Sequence, residues 1–281
     1  MKESMNKRRF LIAAFGGWND ACQAATDAIK LLLDSYASKE IDHICCDSYY
    51  DYQCSRPMMC TVNGRKRIIW PETTFYEITI DENTAIYAEM GPEPNFHWSD
   101  FCHRSLRIAD ECEITGVITL GSMFADCTHT RALPVNYSEG DDDDAGEDSY
   151  SGPVGIPTVL NYMAAEDGFE AGSLWVSIPQ YMNADSCSAG TLRLLEELSA
   201  IVGIPLEEGD LPSRAERWHA KAEMLMRCND DLADYVHHVE RMMDEQKTDD
   251  SDLASTPHGQ QLIQETEDFL RSFDHPAAPE M

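Results

Sequence analysis

Four short segments of the chain hold side chains that could do chemistry: Asn19 and Asp20, Asp51 and Tyr52, Glu93, and His129 with Arg131. A histidine can carry a proton near neutral pH, and an arginine can clamp an anionic oxygen. Gly16-Gly17, just before Asn19, could cradle a phosphate at the mouth of a helix. Each feature also has a plainer reading. The G-x-G-x-x-G and Walker spacings are absent, so Gly16-Gly17 reads as a tight turn. Asp20 suits a helix cap, with Gln23 placed for a box-like return bond. An anion near this turn would also be repelled by Asp20 unless a cation such as Arg131 paired with it. Asp51 can pair with Arg56 across a loop, and His129 and Arg131 can fix a loop. No G-x-S-x-G elbow places a serine beside them, so an acyl-transfer triad is not expected.

The ten cysteines form no C-x-x-C pair, and the nine histidines form no H-x-x-x-H pair. Reduced, packed thiols are the expectation, with no metal site and no cofactor.

These segments need strand ends to gather them. Residues 9–15 read as a short apolar strand and 20–33 as a helix with Ala21, Ala24, Ala25, Ala28, Ile29 and Leu32 on one face. A second strand at 41–46 would complete the β-α-β start of a parallel sheet. A hairpin of 58–62 and 65–70 turns at Asn63-Gly64. Strands follow at 75–80 and 85–90, a helix at 98–112 and an apolar strand at 116–120. A helix at 157–165, a strand at 174–178 and a helix at 186–202 complete an α/β core domain, residues 1–212. Residues 138–149, with Asp141 through Asp144, read as an acidic mobile loop. A helical C-terminal extension is expected over 213–281. In it, Trp218, Ala222, Leu225, Asn229, Leu232, Val236, Val239 and Met243 form the seam of one long helix. An acidic break at 244–252 then precedes a final helix with Leu262, Ile263, Phe269, Leu270 and Phe273.

The formal charge is −30, from 21 basic and 51 acidic side chains. Such a surface repels phosphate backbones and anionic lipid, which argues against nucleic-acid and membrane partners. No run approaches the ~20 apolar residues that span a bilayer, and Gly16-Gly17-Trp18-Asn19-Asp20 is no signal-peptide cleavage site. The expectation is a soluble, cytoplasmic protein.

Five segments in order resemble the proteasome assembly chaperone 2 family, in its actinobacterial branch. They are Gly17-Trp18-Asn19-Asp20-Ala21, Asp51-Tyr52-Gln53 with Arg56-Pro57, Gly91-Pro92-Glu93-Pro94 with Trp98 and Phe101, His129-Thr130-Arg131, and Ile178-Pro179-Gln180-Tyr181-Met182. The resemblance spans roughly the first 200 residues. It implies a phosphorylase/hydrolase-like fold, a mixed central sheet flanked by helices, and a homo-oligomer, with a homotrimer in this branch. It brings no established reaction. The chain departs from the family pattern at Ala132, where a proline is common, and in its acidic loop; the tail after Leu211 is the least matched part.

The reading that follows is an assembly-chaperone-like protein that acts through protein–protein interaction, with an unknown protein partner and no evident catalysis. The alternative is a nucleoside-phosphorylase-like enzyme or small-molecule binder. Its pocket would lie at the strand ends among Asn19, Asp20, Asp51, Tyr52, Glu93, His129 and Arg131. A third reading makes the helix seam a subunit contact.

Overall fold

Alternate residues of the first strand serve opposite sides of a sheet. In β1 (Phe10–Gly16), Phe10, Ile12 and Ala14 join one buried cluster, and Leu11, Ala13 and Phe15 join another. A strand that is apolar at every position belongs in the middle of a sheet covered on both faces. A computed structural model shows this arrangement. It describes residues 9–45, 47–81, 84–139, 152–184 and 186–255, the last ten by backbone alone.

The central sheet has seven strands in the order β2-β5-β6-β1-β7-β9-β8. They are β2 (Ala37–Ile44), β5 (Thr73–Thr79), β6 (Ala85–Pro92), β7 (Gly116–Ala125), β8 (Val135–Glu139) and β9 (Glu170–Pro179), with β1 at the centre. β6, β1, β7 and β9 run parallel; β5 and β8 are antiparallel to their neighbours. The sheet is therefore mixed. The expected β-α-β start is corrected: β1 lies between β6 and β7, whereas β2 sits at the far edge, antiparallel to β5.

Helices α1 (Ala24–Ser35), α4 (Ser188–Val202) and α5 (Leu211–Arg227) bury their apolar sides on one face of the sheet. Helices α2 (Trp98–Glu111) and α3 (Ile156–Glu166) cover the other. The hairpin β3 (Met58–Val62) and β4 (Arg65–Ile69) forms a separate two-stranded sheet. Asn63 and Gly64 at its turn have φ of 51° and 74°, the left-handed pair that such a tight turn needs.

The chain divides into two compact units, 1–225 and 226–281. Within the first, α5 places Leu211, Ala215, Trp218 and Ala222 in the core. Within the second, α6 (Asp230–Ser255) begins after a break. The single long helix is thus corrected. Asn229, its only polar seam member, lies in the break after α5 and caps α6, accepting the Leu232 N–H on Oδ1 at 3.1 Å. The expected acidic break is also corrected, since α6 continues to Ser255. The final apolar helix lies outside the described residues. So does the acidic loop beyond Glu139, while Ser138 and Glu139 belong to β8.

Candidate functional site

The carboxyl ends of β1, β6 and β7 are knotted together around Asn19. Gly16 O accepts the Glu93 N–H at 2.8 Å, and Asn19 O accepts the Ser122 N–H at 2.9 Å. Gly17, at φ 134°, makes the turn between them. Asn19 Nδ2 donates to Glu93 Oε1 at 2.7 Å, and the same oxygen accepts the Ile156 N–H at 2.9 Å. The Glu93 carboxylate therefore sits on the amino terminus of α3, where the helix dipole favours negative charge. Gly155 lets this happen, because a Cβ there would lie 2.0 Å from Asn19 Oδ1. Asn19 is only 1% exposed, and its Oδ1 has no hydrogen-bond partner among the described residues.

Asp20 points the other way, into α1. Its Oδ1 accepts the Ala25 and Thr26 N–H groups at 2.9 and 3.2 Å, and its Oδ2 accepts the Thr26 hydroxyl at 2.5 Å. The cap reaches across a 3-10 turn at Ala21–Gln23, in which Cys22 and Gln23 have φ of 51° and 55°. The expected return bond is replaced: the Asp20 N–H donates to Gly17 O at 3.2 Å. Burial pushes the Asp20 carboxyl up, and the bonds from Thr26 and Ala25 offset this in part. The cation that acts on it is Lys30.

Asp51 closes its own turn. Its Oδ1 accepts the Gln53 N–H at 2.8 Å and its Oδ2 the Cys54 thiol at 3.7 Å. Its N–H donates to Asn95 Oδ1 at 2.8 Å, which ties this turn to the segment that carries Glu93. The Tyr52 hydroxyl donates to Asp47 Oδ1 at 2.5 Å, and its ring lies 4.9 Å from that of Trp70, beside the hairpin.

His129 belongs to a different set. Its Nδ1 meets the Tyr181 hydroxyl at 2.8 Å, and its N–H donates to the same oxygen at 2.9 Å. Its Nε2 lies 3.5 Å from Glu223 Oε2, and His219 Nδ1 donates to its carbonyl at 2.9 Å. His129 is therefore clamped between the end of β9 and α5. Arg131, two residues on, is half-buried.

The structure thus joins Asn19 to Glu93, and His129 to Tyr181, His219 and Glu223. Asp20 and Asp51 are turned into local caps. Among the described residues, no group of three His, Cys, Asp or Glu side chains is disposed to hold a metal ion.

A family model described as the PAC2 family matches residues 14–226. The chain belongs to the PAC2 family. A PAC2 family protein from Streptomyces avermitilis is 30% identical, with a TM-score of 0.74 over 81% of this chain and 99% of its own. A proteasome-assembly chaperone homologue from Mycobacterium tuberculosis is 31% identical, with the same TM-score over the same shares of both chains. An archaeal proteasome activator from Pyrococcus furiosus, at 13% identity and TM-score 0.60 over 81% of this chain and 96% of its own, shares the fold. No curated protein matches the sequence.

The PAC2 match runs through α5, so it includes both helical residues that clamp His129. His219 and Glu223 lie four apart on α5 and so share a face, but nothing local tied that face to a loop 90 residues earlier. Tyr181 lay inside a segment already singled out, without a role. In this PAC2 chain the geometry suits holding strand ends and loops in place. A bound anion at the Asn19 turn would face the Glu93 carboxylate.

Proposed function

We propose that this PAC2 protein acts through protein–protein contacts, as an assembly-chaperone-like factor that is itself a cytoplasmic homo-oligomer, a trimer in the form the resemblance implies. The observation that carries this reading is the β3–β4 hairpin. Nine of its ten strand residues are exposed and the tenth, Cys60, is half-buried. Its register puts Met58, Val62 and Ile69 on one face and Met59 and Ile68 on the other. Met58 and Met59 are 66% and 67% exposed. An isolated two-stranded hairpin is marginal in water, and apolar surface on both faces marks a binding element.

Charge supports the same reading. Residues 52–71 contain Arg56, Arg65, Lys66 and Arg67 and no acidic side chain, in a chain of net charge −30. The hairpin suits an acidic, apolar protein surface, and this chain's own surface is acidic. The likeness to a proteasome-assembly chaperone homologue supports a chaperone role.

Gentle recovery from cell extract with the full chain as bait tests the proposal. A stoichiometric protein partner is expected with the wild type and is expected to be lost with Ile68→Asp. Recovery of nothing but the bait, or equal recovery by the variant, would overturn it.

A second reading, a small-molecule binder at the strand ends, is favoured by one observation, the buried Asn19 Oδ1, which has no hydrogen-bond partner among the described residues. A ligand that binds only the folded state raises the melting temperature. A flat response to phosphate, purine and pyrimidine nucleosides rejects this reading.

A further inference from the structure

Glu89 lies in the middle of β6 at 0% exposure, in the layer between the sheet and α2. Its sheet neighbours are Ala13 on β1 and Phe75 on β5. Ser105 of α2 donates its hydroxyl to Glu89 Oε2 at 2.5 Å. Oε1 has no hydrogen-bond partner among the described residues. The titratable groups beside it are the Cys102 thiol of α2 and the Tyr50 hydroxyl of the loop before the hairpin, and both feel its charge. Cys45 and Glu72 act on Tyr50 from its other sides, and they too are acidic groups. The Tyr50 hydroxyl is engaged with Thr73 Oγ1 at 2.8 Å. Burial and the Ser105 bond are the influences that set the proton affinity of Glu89, with no cation among them.

A buried carboxylate with one bond and no counter-ion is costly, whereas the neutral acid is far less so. We infer that Glu89 is a protonation switch: neutral, with its proton on Oε1, it locks α2 to the sheet, and its ionisation loosens that packing. The group's proton affinity agrees with the geometry. Burial raises its pKa and the Ser105 bond lowers it by a smaller amount, so that it stands at about 8 against the ordinary 4.5.

The sign follows from linkage. The folded state binds this proton more tightly than the unfolded chain does. The stabilisation is therefore complete below the unfolded pKa of 4.5, and it is lost as pH rises through about 8. The loosened helix is tied to its surroundings through Tyr49, whose hydroxyl donates to Asp100 Oδ2 at 2.5 Å and whose ring packs edge-on against Phe101. Loosening α2 should therefore also release the loop that carries Tyr49 and Tyr50. The inference does not depend on the protein-contact reading.

Cys102 reports the opening, because it is buried on α2 beside Glu89. The full chain and Glu89→Gln, which mimics the neutral acid, are treated with a neutral alkylating reagent, and labelling of Cys102 is followed by mass spectrometry. Labelling takes place in the opened state, where water screens the Glu89 charge from the thiol, so intrinsic thiol reactivity there is close to equal in the two proteins at one pH. The ratio of the wild-type rate to the variant rate should climb at least about tenfold as pH rises from about 4.5 to about 8, and level off above that. A rate ratio that does not change with pH would overturn the inference. A second measurement needs no variant: with carbon-13 in the glutamate carboxyls, one glutamate of the wild type should titrate near pH 8. If every glutamate titrates in the ordinary range, Glu89 is not a switch.

Discussion

β1 and the β3–β4 hairpin both carry large apolar side chains, and those side chains are treated oppositely. In β1 every side chain from Phe10 to Phe15 is buried, between two helical layers. In the hairpin, methionines, isoleucines and a valine at the same alternation face out on both sides. A large apolar side chain in a strand is therefore not buried by its type alone; a covering layer buries it. Apolar residues that none of the described layers covers are suited to contact with another chain. The same contrast holds for carboxylates. Among the described bonds Asp20 accepts three and Glu93 two, whereas Glu89 accepts one.

Four substitutions sharpen this comparison, from the largest effect on folding stability to the smallest. Ile12→Ala empties a fully buried site, so thermal or urea unfolding should show a loss of about 2–5 kcal/mol. Asp20→Ala removes the acceptor of the Ala25, Thr26 N–H and Thr26 hydroxyl bonds. A loss of about 1–2 kcal/mol is expected by urea titration, with α1 intact by circular dichroism. Asn229→Ala deletes the cap of α6 and should cost about 1 kcal/mol locally, seen as faster amide exchange at Leu232 with the sheet unchanged. Ile68→Asp, on the exposed hairpin, should change the stability of the isolated chain by less than about 0.5 kcal/mol. A large loss at Ile68, or none at Ile12, would break the contrast.

Much of the fold was legible where the signal is local. The alternation of β1, the Asn63-Gly64 turn and the apolar faces of α1, α2 and α4 each depend on residues a few positions apart. Sheet order was not legible, since β1 pairs with strands about 75 and 105 residues later and no local pattern records this. The helix break at Asn229 could have been seen: an asparagine followed by Asp230-Asp231 is a start signal, and the heptad-like spacing on either side masked it. Asp20 was recognisable as a cap, but the left-handed Cys22 and Gln23 that carry the chain across to Ala25 were not. Glu89 was in plain view, a charge inside the run Ala85 to Met90. Its burial comes from α2 packing over β6, a contact that no local pattern records. The set around His129 was missed for the reason that hid the sheet order, because its members come from three distant segments.

The central claim is that the exposed hairpin is an interaction element. The most direct measurement is the solution mass of the full 31.6 kDa chain and of its Ile68→Asp variant, by sedimentation at micromolar concentration. The account predicts a multiple of the chain mass for the wild type and the single-chain mass for the variant, with the far-UV circular dichroism spectrum unchanged. A wild type that sediments as a single chain, or a variant that keeps the wild-type mass, would contradict it.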